Sequence, residues 1–327
     1  MPKNNKYVTI IMYHYIRDLL HSKYPTIKGL DIALFYEQIE YLKKHYQFIT
    51  METLIDSIQN NTSLPNKSVL LTFDDAYSEH FKYVFPFLDK HKIQGSFYPP
   101  VKAISEHTVL DVNKIHFILA SENNKLKIIS EIKNELNKYK KDYELKSFTF
   151  YFKKLAKSTR YDSAEVMFIK RLLQVELEEK LRNTITQNLF EKIVGIDEES
   201  FSRDLYMDVE QIKCMNRHGM HIGGHGYNHY WLGSLEKEEQ KIEIEKSLNF
   251  LSIVGSDIKN WTMCYPYGSY NNTMLELLTE YNCKLALTTV VGVANIQKHH
   301  KFTLPRLDTN DVPKKKNADT NNWYLKG

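Results

Sequence analysis

Short apolar runs that alternate with helical patterns limit the possible folds of this chain more than any other feature. Each run has the length of a buried strand, and the stretches between them repeat their apolar residues at the helical period. The strand-like runs lie at 8–12, 69–73, 96–98, 221–224, 261–265 and 284–288. The helical patterns lie at 34–46, 51–59, 77–91, 209–217, 235–251 and 273–281. This alternation predicts parallel βα units, and six or more of them favour a barrel over an open sheet.

Residues 102–206 depart from this rhythm. They contain little strand signal, and Lys, Glu, Leu and Ile recur at helical spacing, as in 126–139 and 164–190. We therefore predict a helical insertion that is either a decorative subdomain or a cap or partner-binding surface, because loops after barrel strands surround the active site. The predicted organisation is a first barrel part at 1–101, the insertion at 102–206, a second barrel part at 207–312 and a polar tail at 313–327.

Composition excludes several classes of protein. Hydrophobic residues make up 42% of the 327 residues and charged residues 26%, which is ordinary globular usage. A net charge of +4 argues against a nucleic-acid partner. Three cysteines without a CxxC spacing exclude a disulfide framework and a cysteine-rich zinc site, and they fit a reducing compartment. No apolar run approaches the roughly 18 residues of a transmembrane segment.

The N-terminus predicts a strand and not a secretory signal. The apolar stretch at 7–12 is short, and Tyr13, His14 and Tyr15 follow where a signal peptide has small residues. We therefore expect a cytoplasmic protein, and attachment to a membrane through a partner stays open.

Two groups of polar side chains follow strand-like runs. Asp74 and Asp75 cannot both be buried as ions without a cation or proton nearby. The alternative is a helix N-cap beside a surface acid. His225 and His229, four residues apart, lie on one face of a helical turn and can both reach one metal. The ends of parallel barrel strands meet at one rim, so these groups are expected together.

A third group is the string Met-Cys-Tyr-Pro-Tyr-Gly at 263–268. Pro266 and Gly268 predict a tight turn with backbone N–H groups available to a ligand.

In order and spacing, these three groups resemble the motifs of the polysaccharide deacetylases of carbohydrate esterase family 4, the NodB-homology domain. The motif Thr-Phe-Asp-Asp-Gly appears here at 72–76, with Ala76 in place of glycine. The motif His-Ser/Thr-x-x-His appears at 225–229, and Arg-x-Pro-Tyr/Trp appears at 264–267 with Cys264 in place of arginine. The resemblance covers 6–101 and about 206–310, and it implies a distorted (β/α)7-type, TIM-like barrel.

The resemblance also implies roles for individual residues. Asp75, His225 and His229 would bind a divalent metal, with Zn²⁺ as the first candidate and Co²⁺, Ni²⁺ or Mn²⁺ as alternatives. Asp74 would be the general base, and the backbone N–H of Tyr267 would stabilise the oxyanion.

Two family residues have no counterpart at their usual places. Arg306 is our candidate for the missing arginine, and a surface ion pair is the alternative. The family's late Leu-x-His, which supplies the general acid, has no match after residue 268. His14 fills this role if the barrel is circularly permuted, so that its last strand comes first; the alternative is a partly buried core histidine. His299 and His300 lie in a polar, loop-like stretch.

The implied activity is metal-dependent removal of an N-acyl group, acetyl in the first instance, from an amino-sugar-containing saccharide or precursor. A cytoplasmic location favours an intracellular saccharide precursor over secreted polymers. Two alternatives stay open: a deformylase or other C–N hydrolase acting on a sugar conjugate, and a non-catalytic carbohydrate-binding descendant of the same fold.

Overall fold

Parallel strands form the framework of the first of two units. In this computed structural model, which describes residues 5–159 and 162–327, that unit comprises Met1–Asp18, Gly29–His107 and Ser202–Gly327. Its main strands are β1 (Tyr7–Tyr13), β2 (Ser68–Asp74), β3 (Gly95–Tyr98), β4 (His221–Ile222), β5 (Met263–Cys264), β6 (Ala286–Val291) and β7 (Leu304–Asp308). They pair in the order β4-β3-β2-β1-β7-β6-β5, and every pair is parallel.

The two outer strands of this order also meet. The N–H of Gly224, just after β4, donates to the carbonyl of Thr262 at 2.9 Å, and the N–H of Cys264 donates to the carbonyl of Gly224 at 2.9 Å. These bonds form a single parallel bridge between Gly224 and Met263. The sheet therefore curls into a distorted barrel, which confirms the predicted fold class.

The centre of the sheet positions the rim of the barrel. Every residue of β2 is buried, as its nearly continuous apolar sequence predicts for a strand covered on both faces. Six residues of β2 pair with β1 in parallel register, ending with Phe73 opposite Tyr13. Asp74 and His14 therefore leave neighbouring strands at the same end of the barrel.

Helices and short strands complete the first unit. Asp208 and Gln211 form a capping box at the start of the helix Val209–Arg217. The helices are Ile32–His45, Met51–Gln59, a π-helical turn His80–Val84 continuing into Phe85–Lys90, Val101–Ser105, Val209–Arg217, Lys237–Ile253, Asn272–Glu280 and Asn322–Lys326, with 3₁₀ turns at Leu232–Ser234, Ile258–Asn260, Pro266–Gly268 and Thr309–Asp311. The short strands are Gln47–Phe48 beside β2, Ala294–Asn295 antiparallel to β1, and the pair Ile16–Arg17 and Leu30–Asp31.

The second unit is helical and comprises Leu19–Lys28 and Thr108–Phe201. Its helices are Asp111–Ser121, Lys125–Tyr139, Phe148–Leu155, Ala164–Arg171 with a π-helical turn at Leu172–Glu176, and Glu179–Ile193; Glu198–Leu205 leads back to the barrel sequence. The ring of Tyr24 lies 4.9 Å from Phe117 and 6.1 Å from Phe201, measured between centroids. An early segment of the chain therefore packs with residues of the predicted insertion.

The C-terminal residues, predicted as a polar tail, end in the helix Asn322–Lys326. Lys67 donates from Nζ to the carbonyls of Tyr324 at 2.6 Å and Gly327 at 2.8 Å. Among the described residues, no helix combines the length and the apolar character that crossing a membrane requires.

Candidate active site

Asp74 ends β2 and has a buried cation as its partner. The guanidinium of Arg306, on β7, donates to Oδ1 of Asp74 at 2.9 Å and to Oδ2 at 2.8 Å. Arg306 is 1% exposed, so it is not part of a surface ion pair. Burial opposes ionisation of Asp74, but Arg306 holds the pKa of this carboxyl at about 2, below its ordinary 3.8. The first of the two adjacent carboxylates is therefore ionised and fixed in orientation.

Two further side chains approach Asp74. The thiol of Cys264, at the end of β5, donates to Oδ2 of Asp74 at 3.4 Å. Burial raises the pKa of Cys264, so the thiol keeps its proton. Nε2 of His14 lies 3.8 Å from the same oxygen, and the His14 side chain is 41% exposed. His14 is therefore a rim residue and not a core histidine.

His80 supports the backbone of His14. Its Nε2 donates to the carbonyl of His14 at 2.7 Å. Burial lowers the pKa of His80 to about 4, so its ring is neutral near pH 7. His80 thus orients the end of β1 without adding a charge beside Asp74.

Asp75, His225 and His229 converge on one point. Their ligand atoms lie within 4.8 Å of one another, and all three side chains are buried. Oδ1 of Asp75 is 3.4 Å from Nε2 of His225 and 3.3 Å from Nε2 of His229. Nδ1 of His225 bonds the carbonyl of Cys264 at 2.6 Å. Because a carbonyl only accepts, Nδ1 carries a hydrogen, and Nε2 is the ring nitrogen that faces Asp75.

This trio fits a divalent metal. Within the described residues, the buried Oδ1 of Asp75 has no hydrogen-bond partner, and a carboxylate oxygen left in this way is costly. One carboxylate and two imidazoles form the N/O donor set typical of catalytic zinc and of related divalent ions. The second carboxylate of the Asp-Asp pair therefore has the surroundings of a metal ligand.

Four residues at or beside this site adopt the left-handed backbone conformation, with positive φ. The φ angles are 71° at Asp75, 52° at Ala76, 60° at His229 and 57° at Tyr267. Residues with a Cβ rarely adopt this region, and they keep it only where the surroundings enforce it. At the first loop the N–H of Asp75 donates to the carbonyl of Tyr98 at 3.2 Å, and the N–H of Met207 donates to the carbonyl of Ala76 at 2.8 Å. These bonds hold the loop although alanine replaces the glycine of the family motif.

The segment between the two histidines is a loop and not the helical turn expected from their spacing, since φ is 72° at Gly226 and 60° at His229. A buried carboxylate holds this loop. Glu243, in the helix Lys237–Ile253, accepts the N–H of Tyr227 at 2.7 Å, the N–H of Asn228 at 3.0 Å and Nδ2 of Asn228 at 2.6 Å. Burial raises the pKa of Glu243. The sequence analysis missed this residue, because Glu243 lies among many charged residues of an ordinary helix.

An aromatic pair borders the metal-ligand trio. Trp231 stacks on Tyr267 with ring centroids 4.5 Å apart and an angle of 3°, and the edge of His229 meets Tyr267 at 4.8 Å. The sequence analysis singled out only the backbone of Tyr267. The one available signal for Trp231 was its position two residues after His229.

The strand ends bring together the residues that the sequence analysis selected. Side-chain contacts form two groups, one with His14, Asp74 and Arg306 and the other with Asp75, His225, His229 and Tyr267. The adjacent residues Asp74 and Asp75 connect the two groups along the chain. His299 and His300 are exposed and lie shortly before β7.

Two comparisons with known proteins by sequence give different results. The family model of polysaccharide deacetylases matches residues 61–286, more than half of the chain. A search of curated proteins finds no significant match by sequence.

Several solved structures share the fold. The deacetylase PplD of Streptococcus pyogenes, solved in complex with acetate, is 18% identical with a TM-score of 0.57, and the match covers 92% of each chain. IcaB of Ammonifex degensii is 18% identical with a TM-score of 0.56 and 94% of each chain covered. The BpsB deacetylase domain of Bordetella bronchiseptica is 15% identical with a TM-score of 0.54, covering 94% of this chain and 97% of that one. With the family match, the motifs and the barrel in agreement, the chain belongs to the polysaccharide deacetylase family, whose members are hydrolases that act on carbohydrates.

Proposed function

We propose that this protein is a metal-dependent deacetylase that removes an N-acetyl group from an amino-sugar-containing saccharide or saccharide precursor. The observation that carries the proposal is the arrangement of the two adjacent aspartates. Asp75 directs an unpartnered oxygen at His225 and His229, whereas Asp74 is paired with Arg306. The Asp75 carboxylate thus has the surroundings of a metal ligand, whereas the Asp74 carboxylate is available as a base.

Asp75, His225 and His229 would hold the metal, and a divalent ion there supplies polarisation of the acyl carbonyl and a lower pKa for a bound water. Asp74, kept ionised by Arg306, accepts the proton of the attacking water. The backbone N–H of Tyr267 stabilises the negative charge that develops on the carbonyl oxygen. His14 gives a proton to the departing amine, because an amide anion is too poor a leaving group at neutral pH.

The assignment of His14 is supported by where β1 lies. This first strand pairs with β2, which carries Asp74, and with β7, the last strand of the barrel. The resemblance implies an acid at the end of the first strand if the barrel is circularly permuted, and Nε2 of His14 lies 3.8 Å from Oδ2 of Asp74, which supports this role.

Metal-stripped protein reloaded with Zn²⁺, Co²⁺, Ni²⁺ or Mn²⁺ tests the proposal. Acetate and formate release would be measured from a panel of N-acylated amino sugars, nucleotide-linked sugars and oligosaccharides. We expect acetate release in proportion to bound metal, and release slowed by roughly 10²–10⁴-fold in the folded Asp74→Asn variant. Release of formate alone would instead identify a deformylase.

Folded, metal-loaded protein that binds the saccharides without hydrolysing any of them would contradict the proposal in favour of a binding protein. Wild-type protein that hydrolyses them equally well after complete metal removal would contradict the metal dependence.

A further inference from the structure

The two oxygens of the Asp75 carboxylate have different surroundings. Oδ1 faces Nε2 of His225 and of His229 and has no hydrogen-bond partner in the described chain. Oδ2 accepts a hydrogen bond from the hydroxyl of Tyr77 at 2.7 Å, and both residues are buried. Tyr77 follows Asp75 by two residues, and the sequence analysis assigned it only to the start of a helix.

Tyr77 itself is held on both sides. Its ring stacks on Tyr15 with centroids 4.1 Å apart and an angle of 20°, and on Tyr206 with centroids 6.1 Å apart and an angle of 15°. The backbone of Tyr77 forms an antiparallel bridge with Tyr206, and Ser78 donates from Oγ to the carbonyl of Asp204 at 2.7 Å. With 1% of Tyr77 exposed, its hydroxyl has little freedom to leave Asp75.

We propose that Tyr77 is a positioning residue that makes Oδ1 of Asp75 the single metal-ligating oxygen. A carboxylate can bind a metal through one oxygen or through both. A hydrogen bond to Oδ2 occupies that oxygen and fixes the plane of the carboxylate, so that Oδ1 points at the two imidazoles. Partners of this kind orient metal ligands and tune affinity. The inference rests on the proposed metal site.

The hydroxyl of Tyr77 is suited to this role. A carboxylate oxygen only accepts hydrogen bonds, so the hydroxyl of Tyr77 is the donor in this contact. Phenylalanine at this position would keep the ring between Tyr15 and Tyr206 and would remove only the hydroxyl.

Metal affinity of the Tyr77→Phe variant, measured by competition with a chromogenic chelator, tests the proposal. We expect binding of Zn²⁺ and Co²⁺ to weaken by roughly 10–100-fold, the usual effect of removing a partner of a metal ligand. We also expect the visible absorption of the Co²⁺-loaded variant to lose intensity, because a freed Oδ2 can join the coordination shell and raise the coordination number. Saturating metal should restore most of the turnover.

Tyr13→Phe is the matched control. Tyr13 is a fully buried tyrosine of the same barrel, and its hydroxyl donates to Oε1 of Gln38 at 2.8 Å. The Tyr13→Phe variant measures the general effect of losing a buried hydroxyl. We expect it to bind metal with wild-type affinity. Wild-type affinity and an unchanged Co²⁺ spectrum in Tyr77→Phe would overturn the positioning role, even with metal-dependent activity intact. A wild-type protein that binds no divalent metal would overturn the proposed function itself and this inference with it.

Discussion

Arg306 and Asp74 form a bidentate ion pair inside the barrel, although 232 positions separate them in the chain. Arg306 also donates from Nη1 to Oγ1 of Thr72 at 3.0 Å and from Nε to the carbonyl of Thr288 at 2.9 Å. The guanidinium therefore links β2, β6 and β7 at the rim where the proposed base lies. We propose that Arg306 takes the role of the arginine that the family motif has at the position of Cys264.

Removing the cation from this pair should destabilise the fold. Arg306→Met leaves the buried Asp74 carboxylate unpaired, and we expect the free energy of unfolding to fall by about 3–5 kcal/mol. The double variant Arg306→Met/Asp74→Asn should recover much of that loss, because it removes the stranded charge as well. Denaturant unfolding of wild type and these two variants measures both effects; a double variant no more stable than Arg306→Met would contradict this account.

The pH dependence of stability follows from the same pair. The folded pKa of Asp74, about 2, lies below its ordinary 3.8, so the unfolded state takes up the proton first as the pH falls. The stabilisation from Asp74 is thus fully present above about pH 4 and is lost between about pH 4 and pH 2. The free energy of unfolding of Arg306→Met/Asp74→Asn, measured across this pH range, should lack this loss because the variant has no carboxyl at position 74.

The metal ligands can be tested one by one. His225→Ala or His229→Ala should remove most bound metal and nearly all activity while the barrel stays folded, because the site loses one of three ligands. Metal content after dialysis and circular dichroism measure the two properties. His299→Ala removes an exposed histidine from the same chain and should keep its metal. Stoichiometric, tightly bound metal in either ligand variant would show the assignment to be wrong.

Asp74→Asn should separate metal binding from turnover. Asparagine matches the shape of aspartate but is a far weaker base, so we expect near-normal metal content and a loss of turnover of roughly 10²–10⁴-fold. Metal analysis beside acetate-release kinetics measures both. If Asp74→Asn loses metal but keeps its rate per bound metal, Asp74 would be the metal ligand and Asp75 the base, the reverse of our assignment.

His14→Ala should slow amide hydrolysis by roughly 10²–10⁴-fold with unchanged metal content. The loss should shrink for an activated aryl acetate, whose leaving group departs without a proton. The two substrates thus form an internal control for damage to the site. Equal losses on both would make His14 a structural residue, and the proton donor would have to be sought elsewhere.

Glu243→Gln should loosen the loop between the two histidines. In this variant the side-chain NH₂ group of glutamine, a donor, replaces an oxygen that accepted hydrogen bonds from Tyr227 or Asn228. A buried donor left without an acceptor costs about 1–3 kcal/mol of stability. We expect a lower melting temperature and weaker metal binding. Glu238→Gln, on the same helix but 79% exposed, is the control and should change neither. Unchanged metal affinity in Glu243→Gln would show that the loop keeps its shape without this support.

The sequence could predict the barrel because its strands are short apolar runs and its site residues follow them directly. Asp74 and Asp75 were informative as a pair, since two buried carboxylates require compensation, and the structure contains Arg306 beside one and two histidines beside the other. Tyr77 and Glu243 were not predictable in the same way. Their importance depends on hydrogen bonds, one from Tyr77 to Asp75 and three to Glu243 from the loop between the histidines. A tyrosine or glutamate in a helical pattern gives no signal of such bonds. The packing of Tyr24 against Phe117 is likewise a long-range contact that local periodicity does not encode.

Asp75, His229 and Tyr267 each occupy a backbone region that glycine adopts more readily, at a cost of roughly 1–3 kcal/mol apiece. Glycine at Asp75 or His229 would relax the chain but delete a proposed ligand, and at Tyr267 it would delete the ring that stacks on Trp231. Selection for heat resistance alone would therefore favour glycine at Asp75 and His229, where it removes a ligand of the proposed metal site. A lineage under selection for activity must keep these residues and gain its stability elsewhere, in the buried strands that carry them.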